Sequence, residues 1–397
     1  MEKLSRRLAQ LAPSATVAMN QKTKDLQAQG IDIINLSVGE PDFFTPDHVK
    51  AAAKKAIDDN FSFYTPVPGY PELRQAIVRK LKRENNLDYK VDEILVSNGA
   101  KHCIANTIMA LIDQGDEVII PAPYWVSYAD LVKLADGTNV IVKTKLENDF
   151  KMSAAELEKA ITSKTKAIIL CSPSNPTGSV YTYEEMKALA EVLKKHEQVF
   201  IIADEIYEHI NFIGRHVSMA SFDYLKDRVI TVNGVSKAYA MTGWRIGYMA
   251  APLWIIKACS NLQSQFTTGA SSIAQRASIA ALDSEPVVVE TMGKAFNRRR
   301  DLVVKMVQDI PGVKLSIPQG AFYIFPDISS FFGKTDGKTT IKNSDDMSLF
   351  LLSEAFIATV PGSAFGDDTC IRISYATSDD KLVKAFTQFK NAVAKLK

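Results

Sequence analysis

The chain has 397 residues and 46% hydrophobic content, which is enough for a large core and predicts two domains. Its 47 basic and 45 acidic residues leave a formal net charge of +2, so the strongly basic surface typical of nucleic-acid or membrane binding is excluded. The four cysteines are far apart and form no CxxC pair, which argues against a metal site or disulfides and fits a reducing, cytoplasmic location. No signal-peptide core and no apolar run approaching about 18 residues is present, so no membrane span is expected.

Short runs rich in isoleucine and valine alternate with helix-like segments through the middle of the chain. Ser153-Ala154-Ala155-Glu156 predicts a capping box at the start of one helix. The apolar spacing from Thr182 to Lys195 predicts a second helix. This alternation is typical of an α/β protein with a mostly parallel sheet wrapped by helices. The strand-like runs are Glu117–Ile120, Asn139–Val142, Lys166–Cys171, Val199–Ala203, Arg228–Val232 and Ile246–Ala250.

The last third of the chain has a different pattern. A charged, helix-compatible stretch spans about Pro286 to Asp309, and short strand-like segments then alternate with helix-like ones. This pattern predicts a smaller α+β domain. We therefore expect an N-terminal arm with part of the small domain in residues 1–46, a large ligand-binding domain in 47–285 and a small C-terminal domain in 286–397.

Three of the strand-like runs are followed directly by chemically useful side chains. Asn175 follows one run, and Asp204 and Tyr207 follow the next. Ser236 and Lys237 follow a third. Because ligands of open α/β sheets bind beyond the carboxyl ends of the strands, the sequence predicts one site at this edge.

Lys237 is surrounded by small residues and is followed eight positions later by Arg245. Burial and a cationic neighbour lower the pKa of a lysine, which is how Schiff-base lysines are activated, and a guanidinium suits a phosphate group. A carboxylate such as Asp204 keeps a pyridinium nitrogen protonated. Each residue alone has an ordinary explanation, such as a solvated lysine or a helix cap, but together they predict a pyridoxal phosphate site.

The motifs around these residues resemble those of the class I/II aminotransferases, which use pyridoxal phosphate, and are closest to the bacterial aspartate aminotransferases of subgroup Ib. The run from Gly234 to Gly247 fits the lysine-site signature of this family at every constrained position. The resemblance implies a fold type I pyridoxal-phosphate-dependent transferase. Supporting motifs span nearly the whole chain: Ser37-Val38-Gly39-Glu40-Pro41-Asp42, Tyr64-Thr65-Pro66, Pro123-Tyr124-Trp125, Ser174-Asn175-Pro176-Thr177-Gly178, Asp204-Glu205-Ile206-Tyr207 and Arg372-Ile373-Ser374-Tyr375.

The resemblance also implies the catalytic roles. Lys237 binds the cofactor covalently and moves the proton between Cα and C4′. Asp204 pairs with the ring nitrogen, and Tyr207 holds the ring oxygen. Asn175 and Trp125 contact both the cofactor ring and the substrate.

The same resemblance implies a phosphate site that is completed by a second subunit. Gly99, Ala100 and Ser236 hold the phosphate group together with Arg245. Tyr64 comes from the partner subunit, so the enzyme is expected to be a homodimer with shared active sites.

Substrate choice depends on a second set of residues. By resemblance, Arg372 binds the α-carboxylate with help from Gly39, and Lys101 and Thr16 contact a distal carboxylate. This arrangement predicts L-aspartate and 2-oxoglutarate as substrates, which give oxaloacetate and L-glutamate. Ala12 stands where relatives that accept prephenate carry a basic residue, which argues against prephenate.

Other functions remain open at this point. The chain could be an aromatic, alanine or prephenate-type aminotransferase, or a β-lyase. It could also be a regulator that keeps the cofactor without catalysis. A nicotinamide dehydrogenase lacks support, because no G-x-G-x-x-G motif follows an early strand.

Overall fold

The computed structural model describes residues 5–11 and 15–397. The helices of this part are α1 (Arg6–Ala9), α2 (Ala15–Ala28), α3 (Asp47–Asp58), α4 (Pro71–Lys80), α5 (Ala100–Leu111), α6 (Ser127–Leu134), α7 (Ala154–Ala160), α8 (Tyr183–Lys194), α9 (Leu253–Phe266), α10 (Ser272–Leu282), α11 (Val287–Gln308), α12 (Ser344–Glu354) and α13 (Asp379–Val393). The strands are β1 (Ile34–Asn35), β2 (Ile94–Ser97), β3 (Glu117–Ala122), β4 (Thr138–Lys143), β5 (Thr165–Cys171), β6 (Phe200–Asp204), β7 (Val229–Gly234), β8 (Gly247–Ala250), β9 (Tyr323–Ile324), β10 (Ile357–Ala358), β11 (Val360–Pro361) and β12 (Ile371–Ser374).

Seven strands form the central sheet, in the order β2-β8-β7-β6-β5-β3-β4. Strands β3 to β7 are parallel, whereas β8 is antiparallel to both β7 and β2. The predicted mostly parallel sheet is therefore confirmed. The sequence patterns did not predict β2, whose four residues are all buried.

The central strands are hydrophobic because helices cover both faces of the sheet. Ile168 and Leu170 of β5 pack in the core on one face, while Ala167 and Ile169 pack in the core on the other. Strands buried in this way read as continuous apolar runs rather than as alternating ones.

The predicted capping box at Ser153 is present, and the predicted helix that follows Thr182 begins with a second one. Ser153 Oγ accepts a hydrogen bond from the Glu156 amide at 3.3 Å, at the start of α7. Thr182 Oγ1 accepts one from the Glu185 amide, also at 3.3 Å, at the start of α8. Both caps satisfy amide groups that a helix start leaves without internal partners.

A second hydrophobic core is formed by α11, α12 and α13 with the short strands β9 and β12. Near the N-terminus, β1 pairs in parallel with β10, with Ile34 opposite Ile357. The N-terminal and C-terminal segments therefore share this core. No helix within the described residues is long and apolar enough to cross a membrane.

Candidate active site

The carboxyl ends of three parallel strands bring the predicted residues together. In the register of the sheet, Cys171 at the end of β5 lies opposite Asp204 at the end of β6, and Asp204 lies opposite Val232 of β7. A cavity of about 540 Å³ opens at this edge. Its walls include twelve of the predicted site residues: Thr16, Gly39, Ala100, Lys101, Trp125, Asn175, Asp204, Tyr207, Ser236, Lys237, Arg245 and Arg372.

Lys237 is largely buried at the centre of these walls. Its Nζ donates a hydrogen bond to the Gly39 carbonyl at 2.5 Å. Burial lowers the pKa of Lys237 to about 8; the Glu40 carboxylate opposes this shift, while Arg372 and Arg245 add to it. Near neutral pH this amine is therefore neutral, and hence nucleophilic, far more often than a solvated lysine.

Asp204 is a buried carboxylate with two donors. Its Oδ2 accepts a hydrogen bond from the Tyr128 hydroxyl at 2.6 Å, and its Oδ1 accepts one from the Ile206 amide at 3.3 Å. Burial raises the pKa of Asp204 to about 6, although both donors oppose the shift. Such a carboxylate can hold a proton on a basic ring nitrogen next to it.

Arg372 lies in the wall with part of its guanidinium unpaired. Its Nη1 donates to Asn175 Oδ1 at 3.0 Å and its Nη2 to the Ser37 carbonyl at 2.6 Å, while its Nε has no hydrogen-bond partner among the described residues. Close by, the hydroxyl groups of Tyr207 and Tyr323 lie 2.7 Å apart. A buried arginine that bonds only neutral oxygens is suited to a carboxylate ligand.

Gly99 and Arg245 form an anion-binding corner at the start of α5. Gly99 has a φ of +87°, which favours glycine, and a Cβ at this position would lie 2.4 Å from Arg245 Nη2, so any other residue would displace the guanidinium. The Arg245 guanidinium also donates to the Asn98 carbonyl at 3.2 Å. The backbone amides at the N-terminus of α5, which begins with Ala100, lie beside it, and Ser236 lines the same cavity. A helix N-terminus next to a guanidinium can bind phosphate.

Lys101 supplies a further cation to the cavity. Its Nζ lies 4.9 Å from the centroid of the Trp125 ring. Its pKa is lowered, first by burial and then by the charge of Arg245. Thr16 lines the cavity as well, whereas Ala12 lies outside the described residues.

Two predicted residues are not part of the wall. Gly99 does not line the cavity but lies against the Arg245 guanidinium, for which its missing side chain leaves room. Tyr64 is 96% exposed and lies outside the cavity. A single chain does not test a contribution from a partner subunit, so the role of Tyr64 stays a prediction.

Sequence reasoning missed three residues that face the site. Tyr128 bonds Asp204, and it lies in the first turn of α6, three positions after Trp125. Tyr323 and Glu40 also line the cavity. Glu40 lies inside a recognised motif, which was its available signal, whereas Tyr128 and Tyr323 lie outside every such motif.

The charges of the cavity fit pyridoxal phosphate with a carboxylate substrate. Four cationic side chains and two carboxylates line it, an excess of two positive charges. The hydrogen bonds of Lys237, Arg245 and Arg372 go to carbonyl and amide oxygens rather than to carboxylates. These residues could therefore hold a phosphate group and a substrate carboxylate without breaking an ion pair.

Known proteins that resemble this chain agree with the cofactor and substrate that the cavity fits. The family model for aminotransferase class I and II matches residues 31–389. The bifunctional aspartate aminotransferase and glutamate/aspartate-prephenate aminotransferase of Petunia hybrida is 49% identical over 399 residues, which cover 99% of this chain and 83% of that protein. The aspartate aminotransferase structure from Rhizobium meliloti is 43% identical, with a TM-score of 0.96 and full coverage of both chains. That of the Thermus thermophilus enzyme with maleate is 41% identical, with a TM-score of 0.93 over 99% of this chain and all of that one.

These likenesses extend over both cores and the whole cavity. They confirm the predicted fold type I architecture, in which a mostly parallel sheet is surrounded by helices. They also confirm pyridoxal phosphate as the cofactor. The chain belongs to the class I and II aminotransferase family and is a pyridoxal-phosphate-dependent aminotransferase, with an amino acid and a 2-oxo acid as its substrates.

Proposed function

We propose that the protein is an aspartate aminotransferase, which transfers the amino group between L-aspartate and 2-oxoglutarate to give oxaloacetate and L-glutamate. The observation that carries this proposal is the presence of two separate substrate cations in the cavity wall, Arg372 and Lys101. All four reactants are dicarboxylates, so each can engage both cations. The names of the relatives support the assignment, and maleate, present in the Thermus structure, is itself a four-carbon dicarboxylate.

The residues around Lys237 would carry out the proton transfers. Pyridoxal phosphate, when bound, supplies an aldehyde for the substrate amino group and a ring that absorbs the electron pair left at Cα. Lys237, with its lowered pKa, would remove the Cα proton of the substrate and return it at the cofactor carbon C4′. Asp204 keeps a proton on the ring nitrogen, and Tyr207 donates a hydrogen bond to the ring oxygen, which Asn175 also contacts.

The remaining wall residues would bind and orient. Arg245, Ser236 and the amide of Ala100 hold the phosphate group, with Gly99 leaving room for the guanidinium. Arg372 binds the α-carboxylate as a fork. Trp125 would stack on the cofactor ring, and Gly39 would help to bind the substrate.

We also propose a homodimer with shared active sites, in which Tyr64 reaches the phosphate group of the partner. Several large apolar side chains are exposed on the single chain, and their burial at a subunit interface would be favourable. This exposure supports the homodimer. The main examples are Phe44, Phe63, Tyr64 and Phe266. Thermal stability that rises with protein concentration would support the dimer, and a monomer at catalytic concentrations would contradict it.

The domain division into residues 1–46, 47–285 and 286–397 is likewise a proposal. The separate hydrophobic cores support it, as does the pairing of β1 with β10, which connects the N-terminal segment to the C-terminal part. The cytoplasmic location also stays a prediction, and it is consistent with four free thiols at Cys103, Cys171, Cys259 and Cys370.

The substrate assignment is tested by Lys101→Ala with a panel of amino acids. Loss of a hydrogen-bonded charge partner costs about 1.5–3 kcal/mol, so kcat/KM for L-aspartate should fall roughly 10- to 100-fold while that for L-alanine stays within about twofold. Lys187→Ala, on the exposed side of α8, is the matched control. Equal losses for aspartate and alanine would refute the distal-carboxylate role. Lys237→Ala should abolish turnover with every amino acid.

A second candidate is transamination of prephenate. The Petunia relative is named for aspartate and prephenate together, which favours this activity. The contrary argument from Ala12 concerns a residue outside the described part of the chain. Turnover of prephenate with L-glutamate as the amino donor should be compared with turnover of 2-oxoglutarate with L-aspartate. Measurable turnover of prephenate would show that the enzyme accepts both kinds of substrate.

A further inference from the structure

A buried group of charged side chains lies behind the segment that carries Asp204. The Tyr128 hydroxyl bonds Asp204, and Tyr128 packs in the core on the same face of the sheet as Ile202. The next residue, Glu205, is directed to the other face. Its carboxylate accepts a hydrogen bond from Ser218 Oγ at 2.7 Å and lies 3.1 Å from His216 Nε2.

The Glu205–His216 pair is held out of water. Each side chain is 5% exposed. Neither ring nitrogen of His216 has an aligned hydrogen-bond partner among the described residues, so the contact is a charge contact. Burial alone would lower the pKa of His216, but the charge of Glu205 and its contact with the ring outweigh burial and the pKa is raised. The pair therefore favours an imidazolium beside a carboxylate.

The other charges in this group balance one another. Glu208 contacts the ammonium of fully buried Lys80, and it also accepts hydrogen bonds from Asn85 at 2.8 Å and Asn233 at 2.9 Å. The ammonium of Lys80 contacts Glu208 and, at 3.5 Å, Glu84, whereas the group in contact with the Glu205 carboxylate is the ring of His216. The titratable groups facing this region also include Glu84 and His209 beside Glu208, and the phenols of Tyr89, Tyr239 and Tyr248.

These carboxylates and histidines do not make a convincing metal site. Glu205, Glu208 and His216 each offer a ligand atom, and the three atoms lie within 4.8 Å of one another. However, the ammonium of Lys80 is already in contact with Glu208 and would repel a second cation. The arrangement is better explained by charge balance.

We propose that His216 is a positioning residue that neutralises Glu205, so that the proton shared by Asp204 and the cofactor ring nitrogen stays on the nitrogen. This inference rests on the proposed role of Asp204. Glu205 follows Asp204 directly in the chain, whereas the ring nitrogen would be held only through the Asp204 carboxylate. A bare charge on Glu205 would therefore raise the proton affinity of Asp204 more than that of the nitrogen.

The expected chemistry follows directly. When the proton moves from the ring nitrogen to Asp204, the ring accepts electrons less well and Cα deprotonation slows. The Glu205 carboxylate is already among the groups that raise the pKa of Asp204. Loss of the charge on His216 strengthens that effect, either by substitution or as the pH rises through the raised pKa of His216.

The proposal is tested with His216→Gln and cofactor labelled with ¹⁵N at the ring nitrogen. The ¹⁵N chemical shift reports directly whether this nitrogen carries a proton. At pH 7 we expect the ratio of protonated to unprotonated nitrogen to fall about tenfold, which corresponds to a change of one unit in relative pKa. The value of kcat should fall in proportion to the protonated fraction, by at most the same factor. The double variant Glu205→Gln/His216→Gln should restore both, because it removes the charge that His216 balanced.

The controls separate charge from structure. His196→Gln breaks a histidine–glutamate contact of 3.0 Å with Glu158 at the surface and should change neither readout. Glu205→Gln alone should keep the nitrogen protonated and remove the pH-dependent change. An unchanged ¹⁵N shift in His216→Gln, or a double variant no better than the single one, overturns the proposal.

The Asp204→Asn variant distinguishes a failure of the proposed Asp204 role from a failure of the proposed Glu205–His216 role. If it leaves the nitrogen protonated and turnover intact, the proposed role of Asp204 is wrong and the inference fails with it. If it removes the nitrogen-bound proton while His216→Gln changes neither the ¹⁵N chemical shift nor kcat, only the proposed role of the Glu205–His216 pair is wrong.

Discussion

Lys237 should destabilise the folded protein when no cofactor is bound. Its pKa is about 8 in the fold against an ordinary 10.5. This difference of about 2.5 pH units, at about 1.4 kcal/mol per unit, lowers the free energy of unfolding by about 3 kcal/mol at pH 7. Between about pH 8 and 10.5 the unfolded chain keeps a proton that the folded chain has lost, so stability rises with pH and the penalty disappears.

Lys237→Met removes this buried charge. It also removes the hydrogen bond to the Gly39 carbonyl, which offsets about 1 kcal/mol of the gain. The cofactor-free variant should therefore be more stable than the wild type by about 2 kcal/mol at pH 7. The gain should disappear near about pH 10 and reverse at higher pH, where the penalty has gone and only the lost hydrogen bond counts.

Urea unfolding of the two cofactor-free proteins at several pH values, at one fixed protein concentration, measures the difference. Lys187→Met, at an exposed position of α8, is the control and should change stability little at any pH. If Lys237→Met is less stable at pH 7, or if the difference does not depend on pH, the buried lysine is not the source of the penalty.

Three substitutions test individual contacts. Arg372→Lys loses the fork and should lower kcat/KM roughly 10- to 100-fold for all amino acids with the cofactor absorbance unchanged; a loss confined to dicarboxylic substrates would contradict this role. Tyr128→Phe removes the 2.6 Å donor to Asp204 and should weaken cofactor binding roughly tenfold in equilibrium dialysis, since the ionised carboxylate loses a charge-assisted hydrogen bond; unchanged affinity would contradict it. Gly99→Ala places a methyl group 2.4 Å from a guanidinium nitrogen and should lower cofactor affinity at least tenfold, whereas Gly115→Ala, with a similar positive φ but open space around it, should lower only stability.

Much of the site could be predicted because it depends on local sequence and one topological rule. Apolar runs mark the buried parallel strands, and the residues that follow them must meet at the same edge of the sheet. Asn175, Asp204 and Lys237 were found in this way, and all three line the cavity. Recognised motifs added Arg372, which lies 197 positions after the Asn175 side chain that it contacts.

The rest depends on contacts that no short pattern reports. Tyr128 reads as an ordinary apolar helix residue, and only the packing of α6 against the sheet brings its hydroxyl to Asp204. The partner of Glu205 is His216, eleven positions later in a loop without periodicity. Strand β2 was missed although its apolar run is as long as that of β3; it lies at the edge of the sheet and pairs antiparallel with β8, outside the alternating strand–helix pattern.

The excess of positive charge in the cavity also makes the enzyme sensitive to its medium. Inorganic anions such as sulfate and phosphate present the same kind of charge as the cofactor phosphate and the substrate carboxylates, so they compete for Arg245, Arg372 and Lys101. Added salt weakens the attraction of a doubly charged substrate more than that of a monocarboxylate. The apparent preference for acidic amino acids therefore depends on the solution as well as on the protein. The ratio of kcat/KM for acidic to neutral amino acids decreases as the ionic strength rises.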